Sequence, residues 1–155
     1  MSLVCSTRIR RSTPATSAAV TSRPSRRTIR TALASGKTEL IVTAAAHAGR
    51  DGVEPLRRIA TDEQSDAGLR TQALEHLAER YPDDAAAVLA VILPQPSSRL
   101  VVEAALWAGK LARPELVAVA IAAIEAVQPE WLWPLAAALG PEHRAEVEPA
   151  LLSRW

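Results

Sequence analysis

From Thr38 onward, apolar residues recur every three or four positions, and each run is bounded by a proline, a glycine or a short acidic segment. Leu40, Ile41, Ala44, Ala45 and Ala48 form the first run, with Gly49 placed as a C′ residue after it. Asp51-Gly52-Val53-Glu54 reads as an N-cap with an acid three residues on, and Pro55 sits in the first turn. Leu56, Ile59 and Ala60 give that short helix its apolar side. Asp66 is the expected cap of the next helix, whose stripe is Leu69, Ala73, Leu77 and Tyr81, flanked by Leu74 and ended by Pro82. Asp83 or Asp84 caps a helix through Leu93, stopped by Pro94, and Ser97 or Ser98 caps another with Val101, Ala104, Ala105, Ala108 and Leu111 inward. Pro114-Glu115 opens a helix to about Val127, Pro129-Glu130 opens one to Leu139, and Gly140-Pro141-Glu142 starts the last. No run alternates as a strand does, so the expected fold class is all-α.

The helices also repeat. Displaced by 32 residues, Leu69, Ala73, Leu74 and Pro82 fall on Val101, Ala105, Leu106 and Pro114, and Val88, Leu89 and Ile92 fall on Ala120, Ile121 and Ile124. Val53-Glu54-Pro55 recurs as Val147-Glu148-Pro149, 94 residues later and close to three such periods. A helix pair at this period is the mark of an α-solenoid, in which stacking covers the apolar stripe that one pair leaves bare. The stretch Ala104-Ala105-Leu106-Trp107-Ala108-Gly109-Lys110-Leu111-Ala112-Arg113-Pro114-Glu115 resembles the second helix and following turn of HEAT repeats. There an Ala/Leu-rich helix ends in a Gly-Lys/Arg-Leu-like segment before a Pro-Glu turn. Leu69 to Asp83 is a weaker copy. The resemblance spans roughly residues 39–155 and implies a short α-solenoid of stacked antiparallel helix pairs acting as a protein-binding scaffold, with no catalytic residues. Gly109 has no glycine counterpart at Leu77, and Pro134 and Pro149 sit where helices can kink. An Ala-rich four-helix bundle with similar turns carries the same signals.

Composition agrees with close-packed helices. Alanine supplies 31 of 155 residues, phenylalanine is absent, and six glycines are too few for a chain of tight β-turns. Cys5 is the sole cysteine, which excludes a disulfide framework and a cysteine-based zinc site. The longest uncharged run, Ala85 to Ser98, is 14 residues and contains Pro94 and Pro96. A membrane-spanning helix needs about 20 apolar residues.

The formal net charge of +1 conceals a separation. Residues 1–50 carry nine basic residues and one acid, a net of +8, and residues 51–155 carry nine basic residues and sixteen acids, a net of −7. Residues 1–37 hold eight basic residues, no acid and no helical period, which predicts a disordered Arg/Ser/Thr-rich arm before a helical domain over 38–155. Arg8, Arg10, Arg11, Arg23, Arg26, Arg27 and Arg30 suit phosphate contacts. The same composition suits an organelle transit peptide, or an extension without a role. The expected compartment is cytoplasmic, or an organelle if the arm is a transit peptide.

Candidate chemistry is sparse. Ser35-Gly36-Lys37-Thr38 has the end of a P-loop, but Thr31 stands where the earlier glycine belongs. His47, His76 and His143 are too dispersed for a metal site and read as surface residues. No nucleophile elbow, Cys/His pair or dinucleotide fingerprint occurs, so the expectation is a non-enzyme without catalytic, metal or cofactor-binding residues. Glu75 and Glu79 share a helix face, and with Glu103 they offer an acidic surface for another protein or a basic peptide. Trp131 and Trp133 lie about 200° apart on a helix, so one of them is expected outside the core, where tryptophan is a frequent anchor for partners. An acidic array argues against nucleic acid on the array itself, which leaves the arm as the alternative contact. Val147 to Trp155 reads as the opening of another unit, which suggests self-association through the C-terminal helix or a fragment of a larger repeat protein.

Overall fold

A computed structural model describes residues 24–95 and 99–154. The described residues form α1 (Arg26–Leu33), α2 (Thr38–Ala45), α3 (Val53–Thr61), α4 (Ala67–Arg80), α5 (Pro82–Ile92), α6 (Leu100–Leu111), α7 (Pro114–Ala126), α8 (Pro129–Ala138) and α9 (Arg144–Leu152). Two 3₁₀ turns, Gly49–Gly52 and Pro141–His143, precede α3 and α9, and no strand occurs among the described residues. The chain is all-helical over this range.

Local chemistry sets the boundaries. Pro82, Pro114 and Pro129 each open a helix, where the missing N–H has no intrahelical partner to lose. Asp66 Oδ1 accepts from the backbone N–H groups of Gly68 at 2.8 Å and Leu69 at 3.2 Å, satisfying two donors at the start of α4. Gly49 and Gly140 adopt φ of +64° and +87° and turn the chain. The expected Asp51 cap is corrected: Asp51 lies inside the 3₁₀ turn, and Gly52 precedes α3 without a side-chain cap. The expected cap at Ser97 or Ser98 falls outside the described residues.

The arm boundary is also corrected. Residues 26–33 were expected to be disordered and instead form α1. The Ser25 hydroxyl accepts from the Thr28 N–H at 3.2 Å. Leu33 packs against the edge of the core, so one apolar edge of this otherwise basic segment finds a partner in α2. Residues 1–23, with Arg8, Arg10, Arg11 and Arg23, lie outside the described range.

Every extensive helix–helix contact joins helices one or two apart in sequence. The helices α2, α4, α6 and α8 touch in succession, and so do α3, α5, α7 and α9. The buried core is aliphatic, with Arg70 its single charged member among the described residues. Its period in the first file is 31 residues rather than 32. Arg70, Val101 and Leu132 are buried at equivalent positions, as are Ala73, Ala104 and Leu135, and Leu77, Ala108 and Leu139. A displacement of 32 would match buried Leu74 with half-buried Leu106; at 31 its counterpart is buried Ala105.

The extra residue that carries Pro82 onto Pro114 at 32 is taken up after α6. There Ala112 adopts the left-handed conformation, φ 50°. For a residue with a Cβ this costs roughly 1–2 kcal/mol, against about 0.4–1 kcal/mol of unfolded-state entropy that glycine adds. Ala112→Gly should therefore raise stability by about 0.5 kcal/mol in urea unfolding, and a loss would contradict the assigned turn.

Arginines tie one repeat to the next. Arg80 donates to the carbonyl of Ala46 at the end of α2, and Arg154 donates to the carbonyls of Ile124 and Glu125 in the last turn of α7. Such carbonyls have no partner within their own helix and carry the negative end of its dipole, so a guanidinium satisfies both. Asp83 and Asp84, in the first turn of α5, hold Arg113 from the following unit and Arg50 from the preceding one. Arg50 also lies over the Tyr81 ring, 5.5 Å from its centroid. These pairs are largely exposed and contribute through alignment more than through Coulomb energy.

Candidate functional site

Five residues singled out from the sequence fall on one file of helices: Glu75 and Glu79 on α4, Glu103 on α6, Trp131 and Trp133 on α8. The 31-residue register orders the outward positions of these helices into rows. Thr71, Val102 and Trp133 make one row; Gln72, Glu103 and Pro134 the next; Glu75, Leu106 and Ala137 a third. The face therefore changes character along the array. It is polar and acidic on α4, mixed on α6, and apolar on α8.

Trp133 is 60% exposed, an unusual state for an indole on a helix face. Trp131 is half-buried and packs against the core, so it is a structural residue rather than a second contact on the same face. Glu75 and Glu79 are exposed, whereas Glu103 is half-buried. Glu103 borders a shallow cavity of about 320 Å³ between the starts of α4 and α6, together with Gln72, Thr71 and Arg99. The nearby guanidinium makes this part of the face amphoteric rather than purely acidic. Lys110 sits 4.3 Å from the Trp107 ring centroid on α6 and holds a cation over an indole at the far end of the face. Sequence reasoning missed Val102, Leu106 and Lys110 as surface residues. The 31-residue register, read from the α4 exposure pattern, is the signal that finds them.

A second concavity, about 480 Å³, lies between α1, α2 and α3. Leu33, Ile41 and Ile59 supply apolar wall, and Arg58 and Asp62 supply charge. The Ser65 hydroxyl and the Gln64 N–H both donate to Asp62 and hold its carboxyl below the usual carboxylate range, with Arg58 and Arg70 adding to the effect. Gly36 and Thr38 line the same hollow, and the Ser35–Thr38 segment is simply the turn between α1 and α2, with the Ser35 hydroxyl accepting from Lys37 N–H at 3.3 Å.

The histidines stay apart. His47 is exposed, and His143 Nδ1 lies 3.2 Å from Glu146 Oε2. His76 is corrected from a surface residue: it is half-buried, and its Nδ1 is enclosed without a hydrogen-bond partner. Among the described residues no group of three or more His, Cys, Asp or Glu is placed to hold a metal ion, and no helix is long and apolar enough to cross a membrane. Arg26, Arg27 and Arg30 are exposed on α1.

No family model matches the chain, and no curated protein and no solved structure matches it.

Proposed function

We propose that the helical domain is a short HEAT-like α-solenoid and a non-catalytic scaffold that binds a basic segment of another protein along the α4–α6–α8 face. The observation that carries this reading is the restriction of helix contacts to neighbours one and two along, which leaves one long outer face made of successive second helices. An apolar residue of the partner would rest on Trp133, and its cations would face Glu75 and Glu79. A partner without the basic segment loses most of the attraction, and one without the apolar residue loses the anchor.

The test uses synthetic Arg-rich peptides carrying one aromatic residue, titrated at low and moderate salt. Glu75→Lys, Glu79→Lys and Glu103→Lys combined should weaken binding about tenfold or more at low salt, and Trp133→Ala about tenfold at either salt. Unchanged affinity of the triple variant at low salt would remove the electrostatic half of the proposal. A second reading rests on the exposed arginines of α1: the basic N-terminal region holds a nucleic acid while the acidic array stays clear of it. Deleting residues 1–37 should then abolish retention of duplex DNA or RNA on the full chain, and no retention by the full chain ends that reading.

A further inference from the structure

The two ends of the helical array carry opposite charge, and we propose that they pair head to tail between copies of this chain. At the head, residues 24–37 hold Arg26, Arg27, Arg30 and Lys37 and no acid. The helix α1 buries none of its residues and leaves its arginines outward. At the tail, Pro141–His143 and α9 present exposed Glu142, Glu146 and Glu148 against one exposed cation, Arg144. The Arg154 guanidinium does not neutralise them, because it is engaged by the Ile124 and Glu125 carbonyls of α7.

Apolar surface accompanies the charge at both ends. Leu152 is 67% exposed at the end of α9. The head carries the 480 Å³ hollow beside α1, walled by Leu33, Ile41 and Ile59 with Arg58 at its rim. A leucine from the tail of one copy fills such a hollow while the glutamates behind it meet the arginines of α1. One copy cannot join its own ends. The helix α1 packs on α2, α9 packs on α7, and extensive helix contacts reach only one or two helices along. The contact is therefore heterologous, so it extends into chains or rings rather than closing as a symmetric dimer. Exposed charge pairs make it sensitive to salt.

Sedimentation of the full chain from about 1 to 500 µM tests the inference. At low salt the mean mass should rise with concentration past that of a dimer, and it should fall back at high salt. A head variant, Arg26→Glu with Arg27→Glu and Arg30→Glu, and a tail variant, Leu152→Asp, should each associate at least tenfold more weakly. All these positions are exposed, and unchanged helical circular dichroism verifies the fold. Mixed together, the two variants should give a one-to-one dimer and nothing larger, because each keeps one intact end. Two results overturn the proposal: a wild-type chain that stays monomeric throughout, or a head variant that associates as well as wild type, which would mean tail-to-tail pairing through Leu152.

Discussion

Gly52→Ala is expected to lower stability by about 3 kcal/mol, the largest effect of any single methyl group added to this chain. Backbone conformation is not the reason. Gly52 has φ −85° and ψ −15°, which any residue adopts. The reason is space: a Cβ there would lie 2.1 Å from the Ala45 carbonyl oxygen and 2.8 Å from its carbon. The obstacle is backbone that cannot rotate aside, and the same oxygen accepts from the Ala48 N–H at 3.1 Å. Relief requires α2 and the 3₁₀ turn to separate, which opens the packing of buried Val42, Ala45, Val53 and Leu56. Thermal unfolding should show a midpoint lowered by roughly 10 °C or more. A change below a degree or two would mean that α2 and α3 are not packed as described.

Gly109 sets the scale for that expectation. A Cβ on Gly109 would lie 3.0 Å from the Leu139 carbonyl oxygen, a contact that yields with a shift of a few tenths of an ångström. Alanine also gains roughly 1 kcal/mol of helix propensity over glycine in the interior of α6. The two terms nearly cancel there. At Gly52, outside any α-helix, no propensity gain offsets the overlap.

Much of the fold was legible because its punctuation is chemical. Pro82, Pro114 and Pro129 were read as helix openings, and they are. Asp66 was read as a cap, and its carboxylate performs that task. The inward set Val101, Ala104, Ala105 and Ala108 is fully buried, with Leu111 half-buried beside it. The failures share a different cause. The helix α1 was missed because composition over 1–37 outweighed one local cap and one apolar edge, and tertiary contact with α2 supplies what the segment lacks alone. The period was misjudged by one because Pro82 and Pro114 were matched directly, while the additional residue sits in the turn at Ala112, a conformation that sequence does not advertise for alanine. The arginine ties were invisible for a simpler reason. Arg80 and Arg154 each reach a backbone carbonyl 34 and 30 residues away, and a carbonyl has no sequence signature. The candidate face was partly legible for the same physical reasons. Exposed glutamates and a tryptophan pair show in one dimension, whereas the gradient from acid to apolar needs the register between helices.

Arg70 is where the repeat departs from its own pattern, and Arg70→Ala is the second large effect expected. Its counterparts are Val101 and Leu132, so an aliphatic residue fills this position in the next two units. Arg70 is 6% exposed and donates from Nε to the Ala60 carbonyl at 3.1 Å, in the last turn of α3. Two losses follow truncation. The arginine stem fills core volume that alanine leaves empty. The Ala60 carbonyl, enclosed on a residue with no exposure, loses its donor at about 1–3 kcal/mol. Together they predict a loss of about 3 kcal/mol. Arg70→Leu separates the terms, since leucine restores the packing found at Leu132 but leaves the carbonyl unpaired. It should be destabilised by only about 1–2 kcal/mol. Urea unfolding followed by circular dichroism should place the three proteins in the order wild type, Arg70→Leu, Arg70→Ala. Equal stability of the two variants would show that packing contributes nothing there. A leucine variant as stable as wild type would show that the hydrogen bond to α3 adds nothing, and that the charge stands in the core as a variation on the repeat rather than as a brace for it.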